Sequence, residues 1–399
     1  MFRHLSEPRA GWRRTVKDQG LVWAETRRPD GSAAPYWDES AMYEFSEAEI
    51  TELESATETL HDMCHSVLRR VFSEGPSVLR RFALPERAFD YLKSSYDAKE
   101  PSLYGRFDLA YDGVTPPKLL EFNGDTPTGL LETSVIQWYW LEDMMPSTDQ
   151  WNSVHERLVA AWRTLRRPRV HFAHLGEEST GEEWMTVAYL RDTAQEAGIE
   201  TFGIEVEQIG WDSGRRVFVG LDGEPIYTCF KLYPWEAMLA EPFGERVLEF
   251  PSACRWIEPA WKALLSNKAL LVLLWELFPD HPNLLPSYAE QGPLTSYARK
   301  PLHGREGAGI SIVSDTVTVQ PADTSYGAEG YVYQQYVDLP RFDGRYVVLG
   351  SWVIDGNPAG CLVRESDGPV TDYYSRVVPH IIATPRPDTE TRQAWLAEP

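Results

Sequence analysis

Residues 103–123 read Leu103-Tyr104-Gly105-Arg106-Phe107-Asp108-Leu109-Ala110, then Tyr111-Asp112-Gly113-Val114-Thr115-Pro116-Pro117, then Lys118-Leu119-Leu120-Glu121-Phe122-Asn123. Asp112-Gly113 and Pro116-Pro117 are turn chemistry, so the flanking runs read as the two strands of a hairpin. Side chains two apart on a strand share a face. Arg106 and Asp108 therefore point one way and Phe107 the other, and Glu121 and Asn123 do the same around Phe122. Symmetric pairing about the turn sets Asp108 opposite Glu121 and Arg106 opposite Asn123. Two carboxylates facing each other across a sheet repel, and a divalent cation between them removes the repulsion. Oxygens of Asp, Glu and Asn suit Mg2+, which takes a few protein oxygens and completes its shell with phosphate oxygens. A neighbouring arginine suits the charge of a transferring phosphoryl group. The same pattern also serves an ordinary half-exposed hairpin with its charges turned to water.

Outward from this hairpin the chain divides into four stretches. Residues 1–100 begin with an Arg-, Trp-, Pro- and Gly-rich arm of no clear period over 1–40, expected to lie irregularly on the body. Helical spacing follows over 46–72, with Ser46 and Glu49 placed as a capping box, and a second helix is expected over 86–95. Residues 101–164 carry the hairpin and a helical, aromatic-rich segment at 129–144. Residues 165–260 alternate strand (169–174), helix (181–197, stopped at Gly198) and further strands (199–207, 217–219, 225–232), an α/β lobe. In 261–399, Ser266 is expected to cap a helix over 267–278 stopped by Pro279. Strands at 297–302, 310–313, 331–336, 346–354 and 360–365 then read as one sheet of antiparallel hairpins.

Other residues carry candidate chemistry. Lys300-Pro301-Leu302-His303-Gly304-Arg305-Glu306-Gly307-Ala308-Gly309 is strand followed by a glycine-rich loop, where glycines let backbone N–H groups approach a phosphate. No helix follows and no P-loop pattern is present, and a mobile turn reads the same way. Lys268 opens a helix, where the dipole disfavours a cation, and it is either solvated or directed into a nucleotide site. The alternating strand Tyr331-Val332-Tyr333-Gln334-Gln335-Tyr336 suits an adenine wall or any sheet. Arg364 is a second candidate for phosphate contact. Glu182 and Glu183 follow Thr180-Gly181 at a helix start, where acids are favourable anyway, and they also suit an amine.

The chain has 399 residues and a net charge of −22, which argues against nucleic-acid binding and is compatible with a cationic substrate or with plain solubility. Cys64, Cys229, Cys254 and Cys361 form no C-x-x-C pair and suggest a reducing, cytoplasmic setting. The N-terminus is not a secretory signal, and the longest apolar run, 269–275, is too short to span a bilayer, so no membrane partner is expected.

The order of these motifs, Arg106-Phe107-Asp108, Glu121-Phe122-Asn123-Gly124-Asp125, Lys300-Pro301 with Gly304-Arg305-Glu306-Gly307, Gln334-Gln335, and Arg364-Glu365, resembles the glutathionylspermidine synthase family over about residues 100–385. The resemblance implies an α+β and α/β ATP-grasp fold in permuted order, similar to eukaryotic glutathione synthetase, with an inserted α/β lobe on the substrate side. It implies ATP and Mg2+ as cofactors. Asp108, Glu121 and Asn123 match the metal ligands, and Arg106 matches the arginine that steadies the phosphoryl group, with Arg364 as the second candidate catalytic arginine. Lys268, Lys300, Gly304, Glu306, Gly307 and Gln335 match the nucleotide site. Thr126 matches a residue near the carboxylate substrate, and Glu182 and Glu183 residues near the amine. The implied reaction is amide formation between a small carboxylate, such as a peptide, and an amine, such as a polyamine, through an acyl phosphate. A silent ATP-binding protein of the same fold and a small-molecule kinase are the alternatives. The family's bifunctional members carry a cysteine amidase domain; none is expected here, where Cys64 is the one cysteine before the hairpin. The carboxylate and amine, and the oligomeric state, stay open.

Overall fold

The computed structural model describes residues 1–28, 30–176, 181–321 and 325–383. Within it the 103–123 stretch forms the antiparallel strands Tyr104–Ala110 and Lys118–Asn123, with Arg106 opposite Asn123 and Asp108 opposite Glu121. The reverse face carries Phe107 and Phe122, stacked with ring centroids 3.9 Å apart. A bulge between Asp108 and Leu109 ends the symmetric register. This hairpin is one side of a sheet whose order continues through Arg345–Ile354, Asn357–Ser366 and Arg376–Val378. Gly350 sits opposite Asp108, and a Cβ there would lie 2.7 Å from Arg106 Cδ, so its missing side chain is what gives the arginine room.

The C-terminal strands do not form the single sheet expected from their alternation. Arg345–Ile354 and Asn357–Ser366 join the hairpin, whereas Tyr297–Pro301, Ser311–Val313 and Tyr331–Gln335 belong to a separate five-stranded antiparallel sheet with Ser287–Tyr288 and Thr318–Val319. Between hairpin and helix Ala269–Leu277 lies a third sheet in chain order Arg169–His174, Glu200–Glu205, Thr228–Lys231, Arg255–Ile257, with every pairing parallel. Helix Glu182–Glu196 makes the first crossover.

The first forty residues are more ordered than the sequence suggests. Strand Phe2–Leu5 pairs with Ala41–Phe45, which pairs in turn with His380–Ile382, and Trp12–Asp18 is helical. Helix Glu47–Glu74 starts at the expected capping box of Ser46 and Glu49. The second helix begins with a 3-10 turn, Glu86–Ala88, and runs Phe89–Asp97. The aromatic segment divides into a π-helical Glu132–Ile136 and an α-helical Gln137–Met144. Ser266 is not the cap expected of it: Lys268 occupies that position, and the Ala269 amide donates instead to Asn267 Oδ1 at 2.9 Å. Thr180 and residues 384–399 of the last stretch lie outside the described residues. All four cysteines are free and buried.

Candidate active site

The polar face of the hairpin opens into a cleft of about 340 Å3. Each residue given a site role above lines it: Arg106, Asp108, Glu121 and Asn123 from the hairpin; Thr126 from its exit; Glu182 and Glu183 from the parallel-sheet crossover. Lys268, Lys300, Gly304, Glu306, Gly307, Gln335 and Arg364 complete the wall.

Around Asp108 the contacts are dense. Arg106 Nε donates to Asp108 Oδ1 at 2.8 Å, and one terminal nitrogen of Arg106 donates to the Thr128 carbonyl. Arg364 donates to Asp108 Oδ2 at 2.5 Å, while its buried Nε has no partner among the described residues. Burial opposes the charge of Arg106, but Asp108 more than offsets this and raises the guanidinium pKa. Asn123 Nδ2 donates to Asp108 Oδ2 at 3.2 Å and Glu121 Oε1 at 3.4 Å, so both carboxylates converge on one amide.

Glu121 is held by lysines. Lys268 Nζ lies 3.1 Å from Glu121 Oε2 and donates to the Gly304 carbonyl at 2.6 Å. Burial would raise the Glu121 carboxyl, yet Lys268 and Lys300 pull it well below the carboxylate range. Burial pushes the Lys300 ammonium down to about 8, with Glu121 acting in the opposite sense. Lys300 donates to Gln334 Oε1 at 2.7 Å and to the Leu120 carbonyl at 2.8 Å.

The glycine-rich loop turns back through Glu306 (φ 47°), Gly307 (φ 70°) and Gly309 (φ 72°). Gly307 backs directly onto residues 370 and 371, where a Cβ would meet the Thr371 carbonyl at 2.5 Å. Arg106, Lys268, Lys300 and Arg364 surround the two hairpin carboxylates, an excess of positive charge suited to a polyphosphate. Glu182, Glu183, Glu236, Arg305 and Glu306 also line the cleft, with Arg305 lying 3.5 Å from Glu236.

An Mg2+ ion suits this hairpin. Asp108 and Glu121 already bring oxygens to one point, and a half-turn of the Asn123 amide presents Oδ1 there in place of Nδ2. All three donors are hard oxygens.

Several contributors were not singled out from sequence. Gln334 is buried and holds Lys300, while the neighbouring Gln335 side chain is exposed at the cleft edge. Counting alternately from the apolar Val332 would have set Gln334 inward. Asp125 pairs with Lys231 at 2.8 Å and accepts from the Trp235 amide at 2.8 Å, tying the hairpin exit to the parallel sheet. No local pattern joins those residues. Tyr373 closes one wall, reached by Trp23 of the arm at 5.5 Å between ring centroids.

Comparison with known proteins places this geometry. The family model described as "Glutathionylspermidine synthase preATP-grasp" matches residues 3–383. A Haemophilus influenzae protein named "Putative acid–amine ligase" is 39% identical over 368 residues, covering 88% of this chain and 92% of that one. The trypanothione synthetase of Crithidia fasciculata is 28% identical over 85% of this chain and 56% of its own length. The bifunctional glutathionylspermidine synthetase/amidase of Escherichia coli K12 is 26% identical over 85% of this chain and 59% of its own. The chain therefore spans little more than half of these two larger relatives. A glutathione synthetase-like effector from Globodera pallida shares the mixed α/β fold, with TM-score 0.57 at 11% identity over 94% of this chain and 96% of that one.

Proposed function

Because the chain belongs to the glutathionylspermidine synthase family, we propose that it is an ATP-dependent carboxylate–amine ligase that forms an amide through an acyl phosphate. The observation that carries this reading is the convergence of Arg106, Asp108, Glu121, Lys268, Lys300 and Arg364, drawn from across the chain, on one cleft.

In this reading the fold is an ATP-grasp in permuted order, with the metal hairpin ahead of the nucleotide lysines in the chain. Residues 101–164 and 261–399 form the nucleotide lobes, 165–260 a substrate-side lobe, and 1–100 pack on the body. Asp108, Glu121 and Asn123 would hold Mg2+, which when bound neutralises phosphate charge. Lys268 and Lys300 bind the nucleotide phosphates, and the loop of Gly304, Glu306 and Gly307 lies over them. Gln335 lies at the adenine side.

The substrate carboxylate, seated by Thr126, attacks the γ-phosphorus. ADP leaves, and Arg106 and Arg364 offset the charge on the transferring oxygens. The amine substrate is drawn by its charge to Glu182 and Glu183; its reacting nitrogen, as the neutral amine, then attacks the acyl carbon, and as the amide forms it expels phosphate and gives up its N–H proton to a basic oxygen of the departing phosphate or to solvent. Closure over the bound substrates would keep water from the acyl phosphate. The net acidity and the buried, unpaired cysteines agree with work in the cytoplasm on a peptide carboxylate and a polyamine.

The test is ADP release with Mg-ATP across a panel of carboxylates and amines, including glutathione with spermidine. Release that requires both, with a product lighter by water than the pair, is expected. A phosphorylated product with no amide would make the protein a kinase, and no turnover with any pair would overturn the assignment.

A further inference from the structure

An aliphatic amine, with an ordinary pKa of about 10.4 like that of lysine, reaches the cleft as an ammonium and has no lone pair to attack with. Some group must take its first proton. Among the described residues six carboxylates line the cleft: Asp108, Glu121, Glu182, Glu183, Glu236 and Glu306. Five of them are engaged. Arginines hold Asp108, and lysines hold Glu121. Glu236 lies 3.5 Å from Arg305, Glu183 accepts from the Leu175 amide at 3.4 Å, and Glu182 is also partnered. Glu306 makes no hydrogen bond or ion pair among the described residues, and it is exposed at the cleft. His303 lines the cleft too, with its Nε2 3.2 Å from the Phe82 carbonyl.

The backbone of Glu306 is held in an unusual state. Its φ of 47° is in the left-handed region, which a glutamate rarely enters. The loop is pinned one residue further on, where Gly307 backs onto the Thr371 carbonyl. Strain of this kind persists where the surroundings enforce it, and it gathers at reacting sites. Glu306 also stands between the two ends of the reaction. Arg305 and Arg364 act on its carboxylate, and Arg364 reaches the hairpin through Asp108. Together with Glu182 it acts on the Tyr373 phenol. Burial raises its carboxyl against the pull of both arginines, which narrows the gap to an ammonium.

We propose that Glu306 is the general base of the second step, taking the first proton from the reacting ammonium of the amine substrate. The N–H bond breaks, its electron pair stays on nitrogen for the attack on the acyl carbon, and the carboxylate becomes a carboxylic acid. Glu306 returns the proton to water after phosphate leaves. This assignment rests on the ligase reading and adds to it the group that frees the nucleophile.

The experiment compares amines with hydroxylamine, a nucleophile already uncharged at neutral pH. Hydroxylamine, spermidine and 1,4-diaminobutane are each presented with the same carboxylates and Mg-ATP to the full chain. At saturating amine, E306Q is expected to lose about 100-fold more amide formation than hydroxamate formation. E306D keeps a carboxylate and restores part of the ratio, whereas H303N keeps the wild-type ratio. Equal losses with all three nucleophiles, a loss confined to KM for the amine, or a ratio shifted by H303N instead overturns the base and leaves the ligase standing. No hydroxamate from the wild type with any carboxylate overturns both.

Discussion

If Lys300 binds the nucleotide as proposed, two demands meet there: burial favours a neutral amine, whereas phosphates need an ammonium. With its pKa pushed down to about 8, the group is charged below that pH and neutral above it. Because the folded value lies below the unfolded one, its charged form opposes folding fully below about pH 8, and that penalty fades as pH rises toward roughly 10.4. Nucleotide affinity runs the other way. The dissociation constant of Mg-ATP is expected to rise between pH 7.5 and 9.5, by up to about tenfold per unit; a flat profile would remove Lys300 from the phosphate site. Glu121 is shifted down as well, which for an acid favours the charged form: Lys268 and Lys300 hold its carboxyl down against burial, so it stays ionised throughout that window. Glu121→Gln keeps the shape but leaves both lysines without their counter-charge. ADP release should drop by at least about 100-fold, with the circular dichroism spectrum unaltered. Activity near wild type would mean that the hairpin carboxylates do not hold the metal.

At the level of elements, the hairpin was legible because turn residues and a period of two fix strand, face and register together. The capping box at Ser46 was legible for the same local reason, and Ser46→Ala should cost about 1 kcal/mol in a urea melt. What escaped was pairing at a distance. Alternation in Tyr297–Pro301 and in Arg345–Ile354 looks alike, yet they belong to different sheets. Phe2–Leu5 gains strand character only through Ala41–Phe45 and His380–Ile382, which no short window contains. Ser266 had cap chemistry, but Asn267 holds the Ala269 amide. The glycine-rich loop offers a sharper test of element packing. Gly307→Ala adds a Cβ 2.5 Å from the Thr371 carbonyl at a left-handed φ. The loop must lift from residues 370 and 371, so KM for ATP is expected to rise several-fold with little change in Tm. An unchanged KM would show that this loop does not touch nucleotide.

For the molecule as a whole, the buried Lys231–Asp125 pair joins the parallel sheet to the exit of the hairpin. Burial lowers the lysine pKa and raises that of the acid, so each charge depends on its partner. Lys231→Met leaves Asp125 alone and should cost about 3–5 kcal/mol in denaturant unfolding, while adding Asp125→Leu should restore most of it. Full stability in the single mutant would make the pair dispensable. The six-stranded sheet has a consequence in time. Tyr104–Ala110 pairs with Arg345–Ile354, which a ribosome reaches on the order of ten to fifty seconds after it has finished the first strand. Until then that strand's backbone N–H and C=O groups on one edge wait without their neighbour, and Asp108 waits without Arg364. The nascent chain therefore carries an exposed, half-made sheet through most of its synthesis, and its proposed reaction centre is among the last parts to come into being.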